Sequence, residues 1–183
     1  AKKKKLIKKN KKFNKKKIKD YLLKNQKEID WTIIQGEVYG KEIMKAKLFT
    51  GFNKILRLLL KKGVKVYIVS HKTKYPYLGK KINLRKAASI WIEKNIIKKN
   101  KDLNFSMKNV YFENNIRSKI KRIKYLKCDV FIDDLASILE LLPKETEKFL
   151  FNPEVVNIKN TRYNHIKSWT KISNKIKKSW INT

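Results

Sequence analysis

Apolar residues along the chain follow two rhythms, and the change between them divides it. Up to residue 62 the spacing is helical. Ile18, Tyr21 and Leu22 recur at i, i+3 and i+4 in a start where lysine runs alternate with Leu6, Ile7 and Phe13. A second helix is expected over 31–44, from Trp31 to Met44, broken near Gly36 and Gly40. Gly51 opens an amphipathic helix over 52–62, which Gly63 stops. Beyond Gly63 short apolar strands alternate with helices. Strands are expected at 64–69 (ending in Ser70), 109–112, 130–132 (ending in Asp133 and Asp134) and, as the last, 148–151, stopped by Asn152-Pro153. Helices are expected at 84–97, 118–126 and 135–142. Strands separated by helices imply βαβ crossovers and a parallel sheet covered on both faces. The fold class expected is α/β, with a Rossmann-like sheet. No internal repeat and no linker interrupts it.

Composition narrows the class without naming a function. The 183 residues are 42% hydrophobic and 11% aromatic, enough for a packed core and too much for wholesale disorder. The single cysteine, Cys128, excludes an intramolecular disulfide framework and a cysteine-rich zinc site. Two histidines, His71 and His165, leave little for a histidine-based metal cluster. The longest strongly apolar run, 55–60, carries Arg57, so no segment is expected to span a bilayer. The lysine-rich start is followed by no apolar core of a secretory signal. A soluble, cytoplasmic protein with no membrane partner is therefore expected.

The charge is extreme but of one kind. Lys and Arg number 48 against 15 Asp and Glu, for a net +33. Only Arg57, Arg85, Arg117, Arg122 and Arg162 are arginine, the residue that base-reading proteins favour for its bidentate fork. Lys, Asn and Ile, all abundant here, share A/T-rich codons, so a biased genome produces this composition without selection for binding. A charge used on polyanions is the competing reading. The charge is also uneven: residues 1–28 carry 14 lysines against Asp20 and Glu28. Elsewhere lysines are scattered between apolar residues, as on solvated faces. Non-specific polyanion binding fits this pattern; sequence-specific nucleic-acid recognition does not, since no helix-turn-helix or aromatic RNA platform is visible.

In an open parallel sheet ligands bind beyond the carboxyl ends of the strands. Standing there are Ser70 and His71, then Glu113, then Asp133 and Asp134, then Asn152. Two adjacent carboxylates about 6 Å apart repel by about 3 kcal/mol at an effective dielectric of 20, which a divalent cation or a lysine would offset. The bland alternative is a solvated loop whose acids cap the next helix. Spacing alone leaves both open.

Three pieces stand in a telling order: Val66-Tyr-Ile-Val-Ser70, Lys119 just inside a helix, and Val130-Phe-Ile-Asp133-Asp134. In order and setting they resemble the second, third and fourth motifs of the haloacid dehalogenase-like hydrolases. Longer words resemble a group of uncharacterised proteins of that superfamily: the segment from Trp31 to Gly40, Val69 to Thr73, Tyr75 to Tyr77, and Phe131 to Leu135. The resemblance covers about residues 30–172. It implies a Mg²⁺-dependent phosphohydrolase acting on a small phosphorylated metabolite. It also implies a small helical cap over 1–48 and an α/β core over 49–183. Ser70 would hydrogen-bond a phosphoryl oxygen, Lys119 would offset its charge, Asp134 would bind Mg²⁺ and Asp133 would orient that arrangement. The long loop after the first strand, with His71, Lys72, Thr73, Tyr75 and Tyr77, would shape a substrate pocket, His71 and Lys72 foremost. Trp31, Gln35 and Tyr39 would be cap contacts or plain packing. Which of Asp133 and Asp134 meets the metal stays open.

The superfamily's first motif, an apolar strand ending in Asp-x-Asp-x-Thr or Val, supplies the attacking aspartate. Nothing here matches it: Asp20 lies on a lysine-rich helix, and Glu28 and Asp30 follow no apolar strand. Because the chain begins with alanine, truncation before residue 1 is the simpler expectation, and a naturally degenerate protein the other. As it stands the chain is expected to be inactive, and a catalytically dead basic protein for nucleic acid or another polyanion is the alternative function. The missing strand would be the centre of the sheet, between the strands ending at Ser70 and Asp134. Those two should then pair directly, admit another segment, or stay loosely packed.

Overall fold

A computed structural model of the chain describes residues 1, 5–7, 15–154 and 162–172; Phe13 lies outside them. The elements in order are α1 (Lys15–Lys24), α2 (Glu28–Tyr39), α3 (Phe52–Lys61), β1 (Ile68–His71), α4 (Leu84–Ile92) and β2 (Val110–Glu113). They continue with α5 (Ile116–Tyr125), β3 (Val130–Asp133), α6 (Ala136–Leu139), β4 (Glu147–Phe151) and β5 (Asn164–Ile166). The protein is mixed α/β, and every strand pairing among the described residues is parallel. The described residues form two compact units: those within 1–46 and 73–91, and those within 47–72 and 92–172.

In the first unit Leu22 of α1 is fully buried against Trp31 and Ile34 of α2, with Leu6 and Ile18 alongside. Trp31 is therefore a core residue. Helix α2 differs from the expected one: it starts three residues earlier and runs through Gly36 to Tyr39. Glu28 and Asp30 in its first turn suit the positive end of the helix dipole. Gly36 acts as a contact and not as a breaker. A Cβ there would lie 2.8 Å from Cβ of Pro76, so the glycine admits the 76–82 loop against the helix.

In the second unit α3 buries Ile55 and Leu56 and ends in a Schellman motif. Gly63 (φ +75°) donates to Leu60 O at 3.1 Å and Val64 to Leu59 O at 3.0 Å. This explains why β1 is shorter than the expected 64–69: the Val64 amide is spent on the helix end, and the partner strand β2 spans only Val110–Glu113. Arg57, on the outer side of α3, ties the helix to a later turn with paired bonds to Asp102 of 2.9 and 2.7 Å.

Strand β3 pairs with β4, and β4 with β5. Alternation sends Val130, Ile132, Phe149 and Phe151 to one face, where Ile55, Ile166 and Ile172 join them. Phe131 and Leu150 go to the other face, onto Ile120, Ile123, Ile138 and Leu139 from α5 and α6. Each large apolar side chain so buried contributes about 1.5–3 kcal/mol. The same α5–α6 layer also holds Val69 of β1. Yet β1 pairs only with β2, and β3 only with β4, among the described residues. The expected single sheet is two sheets on one shared layer, and β1 and β3 do not pair directly.

Three other expectations need correction. The helix over 84–97 is α-helical only to Ile92, then a π turn to Ile97, and Asn100 bonds back to Ile96 O at 2.7 Å. The helix over 135–142 keeps four residues: Leu135 is extended, and after Leu139 the chain goes on in tighter turns, Leu141 donating to Ile138 O and Leu142 to Leu139 O. The strand at 148–151 is not the last: β5 pairs with Phe149–Phe151, and its three residues were too short and polar to stand out.

Candidate functional site

The carboxyl ends of β1 and β3 carry the residues singled out by sequence, and helix α5 supplies the cation. Asn115 caps α5, accepting from the Ser118 N–H at 2.8 Å, which fixes the first turn and places Lys119 just beyond it. The Lys119 ammonium lies 2.5 Å from Asp133 Oδ2. Both side chains are 7% exposed, so this is a buried ion pair. Asp133 Oδ1 accepts the Leu135 N–H at 3.0 Å, so both its oxygens are engaged. Phe131 closes one side, its ring centre 5.4 Å from the Lys119 nitrogen.

Asp134 differs in every respect. It is exposed and makes no hydrogen bond or ion pair among the described residues. Mg²⁺ commonly takes one or two carboxylates, with waters and substrate oxygens completing an octahedron. By donor chemistry Asp134 fits as one such ligand, and Asp133, held by Lys119 and a backbone N–H, does not.

His71 ends β1 and feels this group. Burial lowers its pKa below the ordinary 6.5, the Lys119 and Lys72 charges push the same way, and Asp133 and Asp134 oppose them. The folded chain therefore takes up the His71 proton less readily than the unfolded chain. Above pH 6.5 this contributes nothing to stability; as pH falls below it, the unfolded state is protonated first and the fold is weakened. Urea midpoints should drop between pH 7 and 5, and His71→Gln should flatten that slope. An unchanged slope would remove His71 from the group.

Ser70 pairs in register with Phe112 and, by alternation, points away from the face that carries Val69. Its hydroxyl makes no hydrogen bond among the described residues. The Lys72 N–H continues the ladder, donating to Glu113 O at 2.7 Å. Glu113 is tied to Arg122 at 2.8 Å, and Asn152 bonds its own turn through the Glu154 N–H at 3.1 Å. The structure thus brings Lys119 and Asp133 together, with His71, Lys72 and Asp134 in their field, and leaves Glu113 and Asn152 to structural work.

In the first unit, a cavity of about 180 Å³ is lined by Ile33, Gly36, Glu37, Lys41, Glu42, Pro76, Leu78, Lys80 and Ile82. Gln35 is half-buried, and Tyr39 faces the Lys15 ammonium at 5.8 Å. Tyr75 lies between Lys74 and Lys81, Thr73 bonds Tyr75 O at 2.7 Å, and Tyr77 is exposed. Sequence reasoning overlooked an aromatic group in the second unit, Phe49, Phe52, Phe151 and Trp169, whose members are too far apart in the chain to form a motif. Compared with known proteins, the chain matches no family model, no curated protein and no solved structure, so what the site can do is argued from its own residues.

Proposed function

We propose that the chain is the phosphate-handling part of a Mg²⁺-dependent phosphohydrolase of the haloacid dehalogenase-like type, acting on a small phosphorylated metabolite. One observation carries this reading: a buried pair between Lys119 of α5 and Asp133 at the carboxyl end of β3, whose charges reach His71 at the end of β1. A lysine ammonium has three N–H donors. One meets Asp133, leaving two for a phosphoryl oxygen. Asp133 holds the ammonium in place. Mg²⁺, when bound at Asp134, would neutralise charge on the phosphoryl oxygens. The attacking aspartate would stand on a further strand between β1 and β3, completing one Rossmann-like sheet. Residues 1–48 would correspond to the superfamily's small helical cap.

The test is to fuse an apolar strand ending in Asp-x-Asp-x-Thr ahead of residue 1 and assay p-nitrophenyl phosphate with Mg²⁺. The 183-residue chain alone should give no turnover, because nothing replaces the attacking carboxylate. The fusion should hydrolyse the ester. Lys119→Ala and Asp134→Ala in the fusion should each cost about a hundredfold or more, as loss of a charge-stabilising group does. Turnover by the unfused chain that is indifferent to Asp134→Ala would overturn the proposal. So would tight, steeply salt-dependent nucleic-acid binding with no activity in the fusion, which is the signature of a basic binding protein.

A further inference from the structure

Helix α5 presents two unlike faces. Lys119, Ile120 and Ile123 turn inward, where Lys119 meets Asp133. Arg117, Lys121, Lys124 and Tyr125 are exposed, Tyr125 at 77%. The helix has no acidic residue, and it holds two of the five arginines of the chain. Residues three and four apart are neighbours on a helix surface, so Arg117, Lys121 and Tyr125 form one row, with Lys124 beside its end. At 1.5 Å per residue the row is about 12 Å long. Arg117, Lys121 and Lys124 make no ion pair among the described residues.

The exposed ring is tied to the body of the second unit. The Arg122 guanidinium lies 4.7 Å from the ring centre of Tyr111 and 5.8 Å from that of Tyr125. Tyr111 and Glu113 stand on one face of β2. Glu113 accepts from Arg122 Nε at 2.8 Å, so its carboxylate is neutralised within the group. Tyr111 meets Tyr67 at 6.2 Å, and both pack on the core. A row of lysines alone is an ordinary solvated face. Here the cations are joined to an exposed ring that an ion pair and a strand keep in place. Single-stranded nucleic acid is gripped by that combination: cations follow its phosphates, and its bases stack on exposed rings.

We propose that the outer face of α5 binds single-stranded nucleic acid without sequence preference. Tyr125 stacks one base, and Arg117, Lys121 and Lys124 follow the backbone. The surface is separate from the phosphate-handling group, which uses the inward face of the same helix, and it does not depend on the phosphohydrolase reading.

The test is the anisotropy of a labelled single-stranded RNA dodecamer of mixed sequence, titrated with the 183-residue chain at several salt concentrations. Tyr125→Ala should weaken binding about tenfold, the usual effect of losing one stacked base. Tyr125→Phe keeps the ring and should bind as the parent does. Neither should alter binding to the same sequence as a duplex, whose bases are already stacked. Lys121→Gln with Lys124→Gln should lower the slope of log K against log salt by about 1.4, for two lost phosphate contacts on a single strand. Lys98→Gln with Lys99→Gln, exposed lysines outside α5, should leave the slope unchanged. All the substituted side chains are exposed, and matched melting curves establish that the variants fold. Single-strand affinity unchanged in Tyr125→Ala would overturn the proposal, as would equal effects from the two lysine pairs. Loss of binding to phosphatidylserine vesicles in Tyr125→Ala, with RNA binding intact, would also overturn it and assign the face to a membrane surface.

Discussion

A strand of four apolar residues fused ahead of residue 1 should raise the melting temperature by about 10 °C, whatever it does to activity. The size follows from what β1 and β3 offer. Each has one paired edge and one edge without a partner among the described residues, above a common layer that holds Val69 and Phe131. An inserted parallel strand would gain about four hydrogen bonds on each side, at a net of about 1 kcal/mol apiece. Burying four apolar side chains adds about 2 kcal/mol each. Ordering about eight residues costs about 1.5 kcal/mol each. The balance is about 4 kcal/mol, and each kcal/mol moves the midpoint by about 2–4 °C in a chain of this size. Calorimetry gives the midpoint, and hydrogen exchange locates the effect: amides of Ile68–His71 and Val130–Asp133 should become protected together. A polar strand of equal length should do neither. If the apolar strand leaves both measurements unchanged, the space between β1 and β3 is not a strand position, and the proposed nucleophile has nowhere to stand.

The elements that matter for this argument were legible because their signals are local. The helix expected over 118–126 contains Lys119, and the runs ending in Ser70 and Asp133 are β-branched or aromatic and end in polar residues. Those features placed Lys119 on a helix and Asp133 at a strand end. They could not place one against the other, because the 2.5 Å contact joins residues 14 positions apart across a helix and a strand. The difference between Asp133 and Asp134 likewise needed three dimensions. Two neighbours in sequence, one is buried and doubly engaged while the other is exposed. The two-sheet arrangement was not legible, since the alternating strands and helices pointed to one parallel sheet, and β5 was not legible either. Its Asn164-His165-Ile166 has one apolar residue facing the core, and register with Phe149–Phe151 is what makes it a strand. The aromatic group failed for a different reason: Phe49 and Trp169 lie 120 positions apart, and only Gly51 hints that the chain is approached closely there.

Breaking the buried pair should cost more than removing it. Lys119→Met keeps most of the side-chain volume but leaves the Asp133 carboxylate buried with the Leu135 N–H as its one remaining hydrogen bond among the described residues. Truncating one partner of such a pair typically destabilises by about 3–5 kcal/mol, against a whole stability of about 5–15 kcal/mol for a domain. Asp133→Leu alone strands the ammonium instead, and should cost a similar amount. The double variant removes both charges and fills the space with apolar atoms beside Phe131. It should recover most of the loss, because an ion pair in a dry site has spent its Coulomb energy on leaving water. Urea unfolding of the four proteins closes the cycle, and a coupling of several kcal/mol is expected. Strict additivity would mean that the two groups are solvated and not paired. A double variant as stable as the parent carries the stronger implication. The pair would then not be needed to hold the fold, and its place at the carboxyl end of β3 would be explained by what the lysine can do for a phosphate.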